Sequence, residues 1–250
     1  MKKYAIIAGT GFDDYFKDSK EISISTQYGN VILNEIYFDD FIVYYIPRHG
    51  KDHSISPSNI NYRANAMAIQ KLDIKHVYGI CAVGSLKKNL AIGSIVLSTD
   101  FLDMTKNRIS SFYTDNNVKH LEVSNIYNSQ LNNLFIEESK GTSLSTSEGI
   151  YVCTEGPRFE SKTEIKLYQL LNCDVVGMTN IPESLLFGEL NIAYSCVSYV
   201  TNYCTGVLGN ISQDDFNNSN IKKDLIIKTI LKCFYKDPYN LNIKSNQILL

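Results

Sequence analysis

Short apolar runs rich in β-branched residues and tyrosine alternate along this chain with stretches whose apolar residues recur at helical spacing. That alternation is what most narrows its fold, because it describes strands joined by crossover helices. Tyr4–Ala8 reads as a buried strand that stops at Gly9-Thr10-Gly11. Val31–Phe38 and Phe41–Ile46, split by Asp39-Asp40, read as a hairpin. Pro57-Ser58 opens a predicted helix through Ala64, Ala66, Met67, Ile69 and Leu72. Short runs at His76–Ala82, Ile95–Ser98, Ile150–Cys153 and Asp174–Gly177 are further strands, and Ile192–Thr201 is the longest. Helices are expected over Ile126–Ile136, over Lys162–Leu171, and from Pro182 to about Leu190 with the proline in the first turn. A last helix begins at Asp214 or Asn220 and carries Ile221, Leu225, Ile226, Ile230, Leu231 and Phe234 on one face. The pattern predicts one α/β domain over residues 1–250 with a mostly parallel sheet, followed from Pro238 by a polar, loosely held tail. No repeat, low-complexity block or linker interrupts it.

Charge and cysteine content exclude several function classes. The formal net charge is −2, and no basic run exceeds a pair such as Lys87-Lys88. Nucleic-acid binding through a broad basic surface is not expected. The 6 cysteines are scattered and form no C-x-x-C pair, which predicts reduced, buried thiols. The apolar piece after Met1-Lys2-Lys3 is too short for a signal segment, and no stretch reaches the ~18 apolar residues of a membrane span. A cytoplasmic protein with no membrane partner is expected.

Two sets of residues carry the functional reading. Three strand ends offer anion-binding groups: Gly9-Thr10-Gly11, Pro47-Arg48-His49-Gly50 and Ala82-Val83-Gly84-Ser85. Ligands of open α/β sheets gather at the carboxyl ends of strands. Backbone N–H groups and the planar fork of an arginine suit a phosphate dianion. A dinucleotide site does not fit, since the third glycine of G-x-G-x-x-G falls on Asp14, and no P-loop is present. The second set is Glu160, which closes Thr154-Glu155-Gly156-Pro157-Arg158-Phe159-Glu160, and Asn202, which ends the longest strand. A carboxylate accepts and a side-chain amide both donates and accepts. That pair matches a 6-oxopurine, with Glu160 taking the N1–H and Asn202 the O6/N7 side. Phe159 offers a face on which the ring can lie. No metal-ligand set is read: His49 and His53, four apart, are placed in a loop by Gly50 and Pro57, with His53 a local structural group.

Taken together, these segments resemble the trimeric purine nucleoside phosphorylase and 5′-methylthioadenosine phosphorylase family. The matching pieces also include Asn61-Tyr62-Arg63-Ala64-Asn65, Gly177-Met178-Thr179-Asn180-Ile181-Pro182-Glu183 and Thr201-Asn202, and they come in family order. The resemblance implies a central mixed sheet flanked by helices, a homotrimer, and phosphorolysis of a purine nucleoside to free base and ribose 1-phosphate. Inorganic phosphate is then the co-substrate and no cofactor or metal is required. By the same resemblance Thr10, Arg48, His49, the backbone of Ala82, and Thr179 hold phosphate, and Met178 lies against the ribose. His120 reaches a neighbouring subunit's sugar pocket, and Gln213 borders the sugar 5′ group. The family's adenine-handling branch has acidic residues where this chain has Asn202 and Cys204. Cys81 stands where related enzymes offer a hydroxyl or amide near phosphate.

The expected chemistry breaks the C1′–N9 bond through an oxocarbenium-like sugar, as in glycoside hydrolysis. Asn202 and Glu160 stabilise the departing base where its charge develops, and the bound phosphate is the nucleophile. The leading expectation is a phosphorylase for inosine or guanosine. The alternative is a methylthioinosine or methylthioadenosine phosphorylase, and a more distant one is a non-catalytic purine-binding module.

Overall fold

The computed structural model describes residues 1–12, 15–16, 18–114, 118–209, 222–240 and 248–249. Strands β1 (Lys2–Ala8), β2 (Lys20–Thr26), β3 (Gly29–Tyr37) and β4 (Phe41–Pro47) come first, followed by helix α1 (Tyr62–Lys71). Then follow β5 (His76–Ser85), β6 (Ile95–Met104), β7 (His120–Leu121), α2 (Ser129–Ser139) and β8 (Thr146–Thr154). The chain continues through α3 (Lys162–Leu170), β9 (Val175–Gly177), α4 (Asn180–Glu189), β10 (Ala193–Tyr203), α5 (Lys223–Tyr235) and β11 (Ile248–Leu249).

Nine strands form one sheet in the order β10-β6-β8-β9-β5-β1-β4-β3-β2. Five of its pairings are parallel and four are antiparallel, so the sheet is mixed, as expected. Its closure was not legible from periodicity. β10 also pairs along β5 over almost its whole length, so β5, β9, β8, β6 and β10 join into a ring. The reason is burial: every residue of β10 from Ala193 to Asn202 is buried, and β5 is nearly so. Continuous apolar runs of this kind describe strands covered on both faces.

Three apolar clusters cover the sheet. Ala64, Ala66 and Ile69 of α1 pack with Leu186 and Phe187 of α4. Leu131 and Phe135 of α2 pack with Ile226, Ile230 and Phe234 of α5. Ile165 and Tyr168 of α3 form a third cluster with Val176. All 6 cysteines are free and buried.

Several boundaries differ from expectation for local reasons. The helix read from Pro57 starts at Tyr62. Pro57–Asn59 is a separate 3-10 turn, and the Asn61 side chain accepts the Ala64 N–H at 3.1 Å, capping the new start. β2 went unread because its partly exposed edge pattern is polar at alternate positions. The expected start of the last helix at Asp214 or Asn220 lies outside the described residues, which show helix from Lys223. The start of the predicted loose tail is docked instead: the Tyr239 hydroxyl donates to the Lys3 carbonyl at 2.8 Å and its ring meets His76. Ile248–Leu249 pair antiparallel with His120–Leu121. No helix among the described residues is long and apolar enough to cross a membrane.

Candidate active site

A cavity of about 280 Å³ opens where the carboxyl ends of β1, β4, β5, β9 and β10 converge. Its walls include Thr10, Arg48, His49, Ala82, Phe159, Glu160, Met178, Thr179 and Asn202. These residues are up to 192 positions apart between Thr10 and Asn202, and the strand ends gather them.

On one side, Gly9 lets a guanidinium and an imidazole come close to β1. A Cβ there would sit 3.0 Å from Arg48 Nη1 and 3.2 Å from His49 Nε2, so any side chain would push both away. His49 Nδ1 lies 2.8 Å from the Ile55 carbonyl, which can only accept, so Nδ1 carries a proton and Nε2 is the atom on the Gly9 side. Arg48 has a second engagement. It lines the cavity, but its fork is engaged by protein: Nε and Nη2 donate to the two carboxylate oxygens of Glu183, each at 2.7 Å. Nη1 donates to the Ile80 carbonyl and Nη2 also to Ile7. Of the five guanidinium N–H donors, one on Nη1 is left for a ligand. The pair is buried, and burial works against the guanidinium charge. Glu183 outweighs it and keeps Arg48 cationic. Glu183 also accepts from the Tyr194 hydroxyl at 2.7 Å.

Beneath Thr179, Cys81 Sγ lies 3.4 Å from the threonine hydroxyl and 3.7 Å from Cys196 Sγ. The Cys196 thiol, aided by Arg48, draws the Cys81 thiol below its usual range against the effect of burial.

On the other side sit Glu160 and Asn202. The register of β10 against β5 slips between Val200 and Asn202, and a bulge of this kind re-aims side chains. Gly84 faces it: a Cβ would meet Cys204 Sγ at 2.7 Å and Asn202 Nδ2 at 3.1 Å. Asn202 is held both ways. Its Nδ2 donates to the Tyr203 carbonyl at 3.0 Å and its Oδ1 accepts from the Thr201 hydroxyl at 2.8 Å. Because a carbonyl cannot donate, the amide orientation is fixed, leaving one N–H and one lone pair to offer. Glu160 is 7% exposed, and its Oε1 accepts from the Thr154 hydroxyl at 2.7 Å. Burial pushes its carboxyl above the usual range. Phe159 stands at the rim, 47% exposed.

Arg108, which the sequence reading passed over, ties these walls from behind. Nη1 donates to the carbonyls of Met178 and Ile181 at 2.7 Å. Nη2 donates to Thr154 at 3.2 Å and Glu155 at 2.7 Å. Its guanidinium lies over the Tyr62 ring, whose hydroxyl holds the Pro57 carbonyl. A lone arginine in a polar stretch gives no sequence signal of such a role.

His120, expected to serve a neighbouring subunit's pocket, lies on exposed β7, paired with β11 and off its own cavity wall, and Gln213 falls outside the described residues. His53, taken as local structure, joins the cavity wall with its ring 4.4 Å from that of His49. The 3-10 turn Lys51–His53 brings it there. Among the described residues no cluster of His, Cys, Asp and Glu could hold a metal ion.

A cleft at converging strand ends, with a guanidinium and an imidazole on one wall and a carboxyl group and an amide on the other, is the arrangement of a nucleoside phosphorylase. The chain belongs to the phosphorylase superfamily, whose family model matches residues 3–231. It is 44% identical over 213 residues to a probable 6-oxopurine nucleoside phosphorylase of Dictyoglomus turgidum, covering 83% of this chain and 81% of that protein. It is 41% identical over 208 residues to a probable S-methyl-5′-thioinosine phosphorylase of Methanocaldococcus jannaschii, covering 82% and 81%. A double mutant of adenosine/methylthioadenosine phosphorylase from Schistosoma mansoni, solved with adenine, superposes with a TM-score of 0.87 at 27% identity, over 95% of this chain and 93% of that one. The chain is therefore an enzyme of the pentosyltransferase class, with a nucleoside phosphorylase fold.

Proposed function

We propose that this enzyme cleaves 6-oxopurine nucleosides, inosine and guanosine, with inorganic phosphate to give the base and ribose 1-phosphate. The observation that carries the reading is the pairing of Glu160 and Asn202 on one wall of the cavity that also holds Thr10, Arg48, His49 and Thr179. A buried carboxylate is an acceptor, and it matches the N1–H that a 6-oxopurine has and a 6-aminopurine lacks. The fixed amide of Asn202 offers its remaining N–H and lone pair to the O6/N7 edge.

In the proposed reaction an oxygen of the hydrogen phosphate dianion bonds to C1′. The electrons of the C1′–N9 bond leave with the purine, and the proton of the phosphate ends on the base. The positive sugar of the transition state lies between phosphate and base. Asn202 and Glu160 stabilise the negative charge gathering on the base. Thr10, His49, the last Nη1 donor of Arg48, the backbone of Ala82, and Thr179 hold the dianion near C1′, which supplies the proximity effect. Phe159 stacks on the base and Met178 bounds the ribose. The reaction draws on no cofactor. A homotrimer and a cytoplasmic setting belong to the same reading, with His120 serving a neighbour's sugar pocket. The exposure of His120 and its position off its own cavity wall support that role.

A second reading, S-methyl-5′-thioinosine as substrate, is favoured by the Methanocaldococcus relative. Incubation with inosine, S-methyl-5′-thioinosine, adenosine and methylthioadenosine, with and without phosphate, separates the readings. Phosphate-dependent release of hypoxanthine from inosine is the expected result. Preferential release from the methylthio nucleosides selects the second reading, and adenine release above hypoxanthine release rejects the assignment of Glu160.

A further inference from the structure

The hydroxyl of Thr154 is buried behind Glu160 and off the cavity wall. It has a single hydrogen and two acceptors within reach: Glu160 Oε1 at 2.7 Å and the Gly177 carbonyl at 3.5 Å. The carboxylate is both closer and the stronger acceptor. Thr154 ends β8, which is fixed on both edges by β6 and β9, and the carbonyl of Thr154 is held by Arg108. The donor is thus anchored to the sheet, whereas Glu160 hangs on the loop that leads into α3.

We propose that Thr154 is a positioning residue that holds the Glu160 side chain as an ionised, fixed acceptor and thereby sets the enzyme's preference for purines bearing a ring N–H. The inference rests on the 6-oxopurine reading and names what enforces it. A carboxylate at this place accepts from the N1–H of hypoxanthine or guanine. A neutral carboxyl there carries an O–H, which instead suits the bare N1 lone pair of adenine. Both species fit the same space, so the protonation state of Glu160 selects the base.

Opposed effects govern that state. Burial favours the neutral form, whereas the Thr154 hydroxyl, donating into Oε1, and after it the backbone of Glu160 itself favour the carboxylate. The charged and titratable groups facing Glu160 are Arg158 in its own loop, Glu164 and Tyr168 of α3, and Cys204 just past β10. Arg158 and Glu164 pair bidentately with each other at 2.7 and 2.8 Å and so offset one another at Glu160. Cys204 is itself pushed up by burial and stays neutral. Thr154 is left as the side-chain donor that opposes burial.

The sign follows directly. Removing a donor to the charged form raises the pH at which Glu160 takes up a proton, so the acid limb of hypoxanthine recognition moves up. A hydrogen bond to a charged group corresponds to about one pH unit, or tenfold in proton affinity.

The test measures the dissociation constants of hypoxanthine and adenine by calorimetry from about pH 5 to about pH 8, alongside kcat/KM for inosine. The proteins are the wild type, Thr154→Val, Thr154→Ala and Thr154→Ser. Expected is an upward move of the acid limb by about one unit in the valine variant, with the hypoxanthine-to-adenine ratio falling about tenfold near its new midpoint. Thr154→Ser retains the hydroxyl and keeps the wild-type limb. Thr154→Ala carries the same prediction as valine should the latter fail to fold. The proposal is overturned if the valine or alanine variant melts at a lower temperature with limb and ratio unchanged, or if serine behaves as valine does. Failure of the substrate reading looks different: wild type then shows no preference for hypoxanthine at any pH.

Discussion

Arg48 shows how one residue can answer to two demands. Its guanidinium lines the cavity, yet most of its donors hold Glu183 and two strand carbonyls. Truncating one partner of a buried pair strands the other charge, at a cost of about 3–5 kcal/mol. Arg48→Ala should therefore lower stability by that amount in denaturant titration as well as raise the phosphate KM, and removing Glu183 in addition should cost little more. A variant of wild-type stability with only a raised KM would mean that the ion pair carries no structural load. At Asn202 the expectation concerns choice of base. Asn202→Asp replaces a fixed amide by a carboxyl that can present a proton to N7, and should shift kcat/KM from inosine toward adenosine by about tenfold or more. Unchanged relative values for the two nucleosides would remove Asn202 from the base edge. The His49 imidazole, with Nδ1 committed to the Ile55 carbonyl, turns its second nitrogen to the Gly9 side, where the anion is proposed to bind.

Elements matter here through their ends. β1, β4, β5, β9 and β10 all present carboxyl ends to one cavity, and the bulge near Asn202 converts the last of them from core strand to recognition surface. α3 begins directly after Glu160 with a capping box, Ser161 and Glu164 each holding the other's backbone N–H, which fixes where the Glu160 loop stops. Arg108 then joins the β8 end to the segment entering α4 through four carbonyls. Arg108→Gln leaves part of that set without donors. We expect a loss of about 3 kcal/mol, a melting temperature lower by roughly 6–12 °C, and a higher KM for the nucleoside as the Met178 and Phe159 walls drift apart. Calorimetry with steady-state kinetics checks both. A full drop in melting temperature at wild-type KM would confine Arg108 to stability.

For the whole molecule, the closed ring of strands places the cavity in a rigid frame. Phe159 is half exposed at its rim, and His120 stands on β7 with the strand Ile248–Leu249 paired against it. If trimers form as proposed, light scattering should give the mass of three 28.3 kDa chains, and His120→Ala should raise the nucleoside KM with the trimer intact. A fully active monomer would contradict the role given to His120.

The alternation of apolar runs with helical stretches was enough to define the α/β class, most strands and the order of the motifs, because burial imposes its period locally. Thr10 and Asn202 were legible as polar groups at strand ends and Glu160 as the carboxyl closing the segment after Thr154, where backbone and solvent meet, whereas Thr179 was named only through the family resemblance. Three things were decided only in space: the closure of β10 onto β5, the diversion of the Arg48 fork to Glu183, and the carbonyl clamp of Arg108. Each joins segments far apart in the chain, and hydrogen-bond partners at that separation leave no periodicity for a sequence to display.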